Sequence, residues 1–233
     1  IEECTRIVEE PLATTSIIPM YYLSQLASEH VKVVLTGQGA DEPLGGYGRY
    51  KSEIFRNSVP SFFRPFVKII IKLLNTKDEQ LLKGSSVIKI NDIVSRFLKT
   101  YEVFSEKEIN NLIGINDTLS EKLISSMIDE YNFSKLYSNA EKMMAIDSRL
   151  NLSDDLLNYT DKITMNFSIE CRVPMLDIDL VKYIESLPQK FKLNFRNGKV
   201  IHKKLANRIL PRSIVNRPKK GFQSPTEFWF KEE

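Results

Sequence analysis

Hydrophobic and polar residues follow two recognisable patterns near the start of the chain. Residues 20–30 place apolar side chains three and four positions apart, which is the spacing of one helix face. Pro19 suits the first turn of this helix, where the backbone amides need no acceptor within the helix. Residues 31–35 are rich in valine and leucine, which is typical of a short buried strand. We therefore predict a helix followed directly by a buried strand.

Beyond this strand the pattern is overwhelmingly helical. Thr118 and Glu121 form a capping box that predicts a helix start, and Ser153 with two following aspartates predicts another. Further helices are predicted over residues 139–150, 177–186 and 199–209. The chain is thus predicted to be a predominantly helical α/β protein. Its strand and glycine loop lie in residues 1–50, and residues 51–233 are mainly helical.

A glycine-rich turn follows the predicted strand. Five of the nine glycines of the chain lie between Gly37 and Gly48, together with the adjacent carboxylates Asp41 and Glu42. Glycine allows a ligand to approach the main chain closely, and open α/β sheets bind ligands at the carboxyl ends of their strands. Carboxylates at such a place suit Mg²⁺ that is itself bound to phosphate oxygens. The alternative is a surface loop whose acidic side chains are only solvated.

Composition excludes several classes of protein. The net charge is +3 from 33 basic and 30 acidic residues that are scattered along the chain, so we expect no nucleic-acid surface. Cys4 and Cys171 match no metal-site spacing and suit packing residues in a reducing compartment. Residues 62–74 are apolar but are interrupted by charges along one helix face, which predicts an amphipathic helix and no membrane span. No signal peptide is visible, and we expect a cytoplasmic protein.

Three later stretches combine apolar residues with charges at fixed places. They cover residues 154–165, 168–177 and 217–229. In the second stretch, we interpret Arg172 as a member of a structural ion pair or a buried cap. In the third stretch, Lys219 precedes a glycine and a phenylalanine on a turn, although a lysine pair alone is usually solvated.

Together these segments closely resemble the synthetase domain of the glutamine-hydrolysing asparagine synthetases. The glycine loop of that family reads V-V-L-[ST]-G-E-G-[AS]-D-E-x-x-G-G-Y, and residues 33–47 follow it except at Gln38. The family motif D-D-L-L-x-x-x-D-x-x-x-M is matched by residues 154–165. The motif E-x-R-V-P-x-L-D is matched by residues 170–177, and R-x-K-x-G-F-x-x-P-x-x-x-W by residues 217–229.

The resemblance implies a partial ATP-pyrophosphatase fold and a particular reaction. In that reaction a substrate carboxylate attacks the α-phosphate of ATP and releases pyrophosphate, and ammonia then displaces AMP from the acyl-adenylate. The resemblance places Thr36 and Gly37 at the nucleotide. It makes Asp41 the residue that binds Mg²⁺ and pyrophosphate, with Glu42 as a further candidate on the side of the metal.

The resemblance also implies three catalytic positions. Lys219 is similar to the cation that stabilises charge developing on the α-phosphate, and Asp155 is similar to an acid that supports this lysine or the intermediate. Gln38 stands where the family carries a glutamate that takes a proton. A carboxamide cannot act as a base, so Gln38 departs from the family pattern at this step.

Two parts of the family pattern do not occur in residues 1–233. There is no S-G-G-x-D-S phosphate-binding segment, and there is no glutaminase domain with an N-terminal nucleophilic cysteine. We therefore expect an excerpt or one half of a split enzyme. Its expected partners are aspartate or another small carboxylate and ammonia released from glutamine by a separate domain or subunit, and a homodimer is possible. The alternatives are a related cyclase or amidotransferase, or a catalytically inactive helical binding partner.

Overall fold

The structure, a computed structural model, describes residues 1–11, 14–67, 87–114 and 119–217. The predicted lysine site at Lys219 lies outside these residues, as do Thr118 of the predicted capping box and much of residues 62–74. The described α-helices are α1 Glu2–Val8, α2 Ile17–Ser28, α3 Gly48–Ser58, α4 Ile93–Tyr101, α5 Glu106–Ile113, α6 Leu119–Glu130, α7 Asn139–Asp147, α8 Asn158–Asn166, α9 Ile178–Ser186, α10 Gln189–Lys192, α11 Val200–Ala206 and α12 Arg212–Val215. The strands are β1 Val33–Leu35 and β2 Glu170–Arg172, and short helices of other types cover Ser148–Leu157 and Pro174–Leu176.

The chain forms two compact units that are interleaved in sequence. The first contains Ile1–Ala40, Ser148–Ser186 and the described residues from Ile201 onward. The second contains the described residues of Asp41–Asp147 together with Leu187–Val200. The glycine-rich turn crosses from the first unit to the second between Ala40 and Asp41, and each unit is described by itself below.

The first unit is built around a small parallel sheet and the helix α8. Strand β1 pairs with β2 in parallel, with Val33 opposite Glu170 and Leu35 opposite Arg172. Helix α8 packs on α1 and α2, and its residues Tyr159 and Ile163 form a buried cluster with Val8. Over the described residues the fold is therefore mostly helical with a two-stranded parallel sheet, which is consistent with an α/β protein.

The strand β1 differs from its prediction in length and burial. It begins at Val33, and the side chains of Val33 and Leu35 are 42% and 72% exposed. The predicted burial is wrong for the described residues because the sheet has two strands there and leaves both side chains open to solvent. Strand β2 was not predicted, since its sequence Glu-Cys-Arg lacks the apolar alternation that marks a strand. Arg172 Nε lies 2.8 Å from Glu170 Oε1, so an ion pair is present as expected, but the two side chains are 61% and 58% exposed, which is wrong for the buried cap and indicates a weak surface pair.

Most helices lie close to their predicted positions. Helix α2 begins three residues before the predicted start, so Pro19 lies in its first turn as expected. Helix α9 begins after Asp177, whose carboxylate accepts a hydrogen bond from the Leu180 amide at 2.9 Å. Helix α11 is shorter than the predicted 199–209.

The predicted break before Ser153 is wrong. Helix α7 is followed directly by a π-helix, Ser148–Leu157, which leads into α8. Leu152 before Ser153 and Tyr159 after it are both buried, so packing on each side of Ser153 holds the segment in a helical path. The capping sequence at Ser153 therefore does not start a new helix, because tertiary contacts override local propensity.

The second unit is a group of helices in which α3 packs on α7, and α6 packs on α4 and α7. Its interior contains paired charges as well as apolar side chains. The Arg96 guanidinium donates to both carboxylate oxygens of Glu53, at 2.9 and 2.8 Å, and both side chains are nearly fully buried. Lys192 and Glu141 form a second ion pair of low exposure, at 2.9 Å. Helix α6 confirms the helix expected after the capping box, and its residues Ile124 and Met127 are buried.

Among the residues that the structure describes, no helix combines the length and apolar character needed to cross a bilayer.

Candidate active site

The predicted nucleotide-binding residues Thr36 and Gly37 lie on the backbone that leaves strand β1. The Thr36 amide donates to the Arg172 carbonyl at 2.9 Å, which extends the parallel pairing by one residue. At Gly37, a Cβ atom built on the backbone would meet no other atom within 4 Å. The chain at Thr36 and Gly37 is therefore anchored on one side and open on the other, which suits a bound ligand.

The Gln38 side chain is held by helix α8. Its Nε2 donates to Thr160 Oγ1 at 2.7 Å, and Thr160 is buried. Its Oε1 is also buried, and no hydrogen-bond partner for it exists among the described residues.

Gly39 fixes the backbone next to Gln38. Its φ angle is +75°, and a Cβ atom there would lie 2.3 Å from Leu176 Cδ2. Any other residue would be strained by the left-handed conformation and would also collide with Leu176. The position of Gln38 is thus set by its neighbour in the chain as well as by Thr160.

Asp41 lies at the start of the second unit and is paired with a lysine. Lys199 Nζ is 3.0 Å from Asp41 Oδ1, and both side chains are partly exposed. The Asp41 carbonyl accepts from the Gly46 amide at 2.7 Å, which closes the loop. A Cβ atom on Gly46 would lie 1.7 Å from Asp41 Oδ1, so the carboxylate can occupy this place only because residue 46 is glycine.

Lys199 was not predicted from the sequence as a site residue. Its φ angle is +54°, which is rare for a residue with a side chain, and its amide donates to the Leu44 carbonyl at 2.9 Å. An uncommon backbone conformation that is held by the surrounding structure often marks a functional position. The only signal in the sequence was the turn-forming pair Asn197 and Gly198 before it, which predicts a turn but no contact with Asp41.

Glu42 has a different environment from Asp41. Its side chain is 1% exposed, and Tyr47 donates its hydroxyl hydrogen to Glu42 Oε1 at 2.6 Å. Burial is the main cause that raises the pKa of Glu42 above its usual range. Adjacent in sequence, the two carboxylates thus have different environments: Asp41 is partly exposed and paired with Lys199, whereas Glu42 is buried and bonded to Tyr47.

A buried polar cluster holds the end of this loop. Asp147 is fully buried and accepts hydrogen bonds from the hydroxyl groups of Tyr50 and Tyr101 and from Arg49 Nε, the last at 2.7 Å. The Arg49 guanidinium lies over the Tyr47 ring, 4.1 Å from its centroid. Cation–π contact and charge-assisted hydrogen bonds therefore act together to fix residues 47–50.

Asp155 lies in the π-helix of the first unit. It is half-buried, and burial raises the pKa of its carboxyl group. Its neighbour Asp154 instead forms an exposed ion pair with Arg149. π-Helical turns are rare and occur often at functional sites, which supports Asp155 as a candidate site residue. Its expected partner Lys219 lies outside the described residues.

The structure thus divides the predicted site residues into two sets. In the first unit, Thr36, Gly37 and Gln38 follow β1, and Asp155 belongs to the same unit. Asp41 and Glu42 belong to the second unit. Among the described residues, no cluster of three or more His, Cys, Asp or Glu side chains is arranged to hold a metal ion.

Comparison with known proteins gives a consistent picture. A family model described as "Asparagine synthase" matches residues 1–233. The chain is 29% identical to asparagine synthetase [glutamine-hydrolyzing] 1 of Bacillus subtilis, over 97% of this chain and 36% of that protein. It is 27% identical to a putative asparagine synthetase [glutamine-hydrolyzing] of Mycobacterium tuberculosis, over 99% of this chain and 35% of that protein.

A third relative carries a different name. The chain is 25% identical to amidase chyE of Penicillium rubens, over 87% of this chain and 33% of that protein. The chain spans about a third of the length of each of these curated relatives. No solved structure matches the chain.

Proposed function

Because the chain belongs to the asparagine synthase family, we propose that it carries part of an ATP-dependent site that converts aspartate to asparagine. An aspartate carboxylate oxygen bonds to the α-phosphorus of ATP, and pyrophosphate leaves. Ammonia derived from glutamine then attacks the acyl carbon, and AMP leaves. The observation that carries this proposal is the loop after β1, in which the partly exposed Asp41 is fixed beside the cation of Lys199.

The charges of this loop suit a nucleotide bound with Mg²⁺. Mg²⁺ in nucleotide sites is usually held by one or two carboxylates together with phosphate oxygens and water, and it neutralises polyphosphate charge when bound. Asp41 is the residue that would hold it, whereas the burial of Glu42 and its bond to Tyr47 keep that side chain inside the loop. Lys199 would then be released from Asp41 and would contact the phosphate groups.

The remaining roles follow from the family motifs and the open backbone. Thr36 and Gly37 would lie against the nucleotide, supported by the free space at Gly37. Lys219 would stabilise the charge that develops on the α-phosphate, and Asp155 would support that lysine or the acyl-adenylate. We also propose the ATP-pyrophosphatase fold for the domain to which these residues belong.

A second candidate is the same adenylation chemistry on another small carboxylate. The observation that favours it is the similarity to a protein that carries the name amidase and not asparagine synthetase.

The test is ATP–pyrophosphate exchange, which reports formation of the acyl-adenylate. Residues 1–233 are assayed alone and together with an S-G-G-x-D-S segment supplied in the same or a second chain, with aspartate and a panel of other carboxylates. We expect no exchange by residues 1–233 alone and exchange that depends on aspartate and Mg²⁺ in the completed preparation. Exchange with a different carboxylate would favour the second candidate. Absence of exchange with every carboxylate would overturn both and favour an inactive helical binding partner.

A further inference from the structure

Lys199 is held in an unusual backbone conformation by the turn that precedes it. Leu193 and Gly198 form an antiparallel bridge across this turn, and a Cβ atom on Gly198 would lie only 2.1 Å from the Gly45 carbonyl oxygen. The φ angle of Lys199 is +54°, and its amide donates to the Leu44 carbonyl at 2.9 Å. A left-handed conformation costs free energy in a residue other than glycine, and these contacts hold it in place. The turn therefore packs directly on the glycine-rich loop, and all of these residues belong to the second unit.

The side chain of Lys199 crosses Gly46 to reach Asp41. A Cβ atom on Gly46 would lie 2.6 Å from Lys199 Cε and 1.7 Å from Asp41 Oδ1, so both side chains use the space that this glycine leaves open. Lys199 Nζ ends 3.0 Å from Asp41 Oδ1, and each side chain is 24% exposed. A lysine side chain loses much conformational entropy when it is ordered. Packing against Gly46 as well as charge therefore keeps this ammonium group on the carboxylate.

The Lys199 ammonium group occupies the carboxylate that would hold Mg²⁺ in the proposed site. A divalent cation that binds Asp41 must displace this ammonium group, so the free energy of the ion pair is subtracted from the free energy of metal binding. Phosphate groups change this balance, because they give the displaced ammonium group a new anionic partner. A metal ion alone therefore meets the whole cost of displacing Lys199, whereas a metal ion bound to phosphate recovers that cost.

We propose that Lys199 is an internal counter-cation that blocks Asp41 to a divalent cation alone and admits one only together with a polyphosphate, which Lys199 then binds. This inference rests on the proposed function, because it concerns the order in which that site takes up its metal and its nucleotide. Lys199 keeps the charge of Asp41 compensated while the site is empty. The positive charge of the metal and the negative charge of the phosphates then enter as a pair.

The experiment measures the binding of two probes to the preparation that combines residues 1–233 with the S-G-G-x-D-S segment. The probes are Mn²⁺ alone, followed by water-proton relaxation, and the complex of Mn²⁺ with inorganic pyrophosphate, followed by calorimetry. Lys199→Met should bind Mn²⁺ alone about fivefold more tightly than the wild type, because a partly exposed competing ion pair is lost. It should bind the pyrophosphate complex about tenfold more weakly, because a charged hydrogen bond to phosphate is lost.

Three variants separate the charge of Lys199 from a structural effect. Lys199→Arg keeps a positive charge and should keep the binding of Mn²⁺ alone weak. Lys190→Met removes an exposed positive charge from the same unit and should leave the binding of both probes unchanged. In an Asp41→Asn background, Lys199→Met should no longer increase the affinity for Mn²⁺, because the gain acts through the Asp41 carboxylate.

The opposite directions of the two shifts identify the role, since a general loss of structure would weaken the binding of both probes. Unchanged or weaker binding of Mn²⁺ alone by Lys199→Met would overturn the inference, and so would an equal response of Lys190→Met. Lys199→Gln should reproduce both shifts, which excludes a disturbance caused by methionine.

Neither binding measurement requires turnover, so the inference and the proposed function fail separately. Absence of ATP–pyrophosphate exchange together with the two opposite shifts would overturn the proposed reaction and leave the ordered binding in place. Exchange without the shifts would overturn the role of Lys199 alone. Failure of the wild-type preparation to bind either probe would overturn both.

Discussion

At the scale of single residues, the acidic side chains of the motifs have different environments although their sequence neighbours are similar. Asp41 is partly exposed beside Lys199, Glu42 is buried under Tyr47, and Asp155 is half-buried in the π-helix. A carboxylate can bind a metal ion that carries phosphate groups only if the ion can reach the carboxylate and the carboxylate is ionised. In the proposed site, Asp41 is therefore a stronger candidate than Glu42 for the residue that holds Mg²⁺.

Asp41→Asn tests this ranking. The substitution keeps the size of the side chain and removes the charge that attracts Mg²⁺. In the active preparation we expect a Mg²⁺ titration of exchange that is shifted to at least tenfold higher concentration. The exposed Asp179 serves as the control, and its replacement by Asn should not move the titration. An unshifted midpoint for Asp41→Asn would contradict a metal-binding role.

Asp155→Asn should reveal the cost of burying a carboxylate. Because the pKa of Asp155 is raised in the folded state, folding favours its protonated form, and stability falls as pH rises from the unfolded pKa of about 3.9 through the folded pKa. The Asn variant should therefore be more stable than the wild type at neutral pH. The difference should vanish near pH 3, measured by urea unfolding across that range.

Asp154→Asn is the matched control for this prediction. Asp154 is exposed and paired with Arg149, so its replacement should change the free energy of unfolding by less than about 0.5 kcal/mol. A destabilised Asp155→Asn variant at neutral pH would show that the carboxylate has a stabilising partner.

Lys219 is tested against its neighbour. Charge stabilisation that grows only in the transition state raises kcat without tightening substrate binding. Lys219→Ala should therefore lower turnover about 100-fold, equivalent to about 3 kcal/mol, and weaken ATP binding far less. Lys220→Ala should be nearly silent, because the family motif leaves that position free. Small and equal effects of the two substitutions would indicate a solvated lysine pair.

At the scale of elements, periodic apolar spacing located helices better than it located strands. Helices α2 and α9 were predicted within a few residues because each presents a regular stripe and a recognisable start. Strand β2 has three residues and two of them are charged, so only its pairing with β1 makes it a strand. The π-helix has no sequence signal that distinguishes it from an α-helix. Elements that depend on tertiary contacts were therefore the ones missed.

The buried ion pair Glu53–Arg96 joins helices α3 and α4, and the effect of breaking it on the free energy of unfolding can be predicted. Arg96→Met removes the guanidinium and leaves the Glu53 carboxylate buried without its cation. We expect a loss of about 3–5 kcal/mol in the free energy of unfolding, measured with urea. The control is Arg6→Met, which breaks an exposed pair with Glu3 and should change the free energy of unfolding far less.

The double variant Glu53→Leu with Arg96→Met separates charge from packing. It should recover much of the loss, because neither partner is then left as an isolated buried charge. Similar losses for the single and double variants would attribute the effect to packing volume.

At the scale of the whole molecule, contacts that are distant in sequence could not be predicted. The glycine density and the motifs identified Thr36, Gly37 and Asp41 as candidate site residues, and these roles stay predictions. Sequence spacing gave no indication of the contacts from Gln38 to Thr160 or from Asp41 to Lys199, which span more than 100 residues. The interleaved composition of the two units was also not visible, since no linker or change in composition marks the places where the chain crosses between them.

Three tyrosines lie in or beside the polar cluster around Asp147, and their ionisation can be followed by ultraviolet absorbance. Burial and nearby carboxylates raise the pKa values of Tyr47, Tyr50 and Tyr101 well above their usual range. Their phenol groups should stay protonated in alkaline solution until the second unit unfolds, and should then ionise together near the unfolded value of about 10. Ultraviolet absorbance of phenolate should therefore show a late, cooperative step, and Tyr101→Phe should reduce its amplitude by about a third. A gradual titration without this step would mean that the cluster opens to solvent in the folded protein.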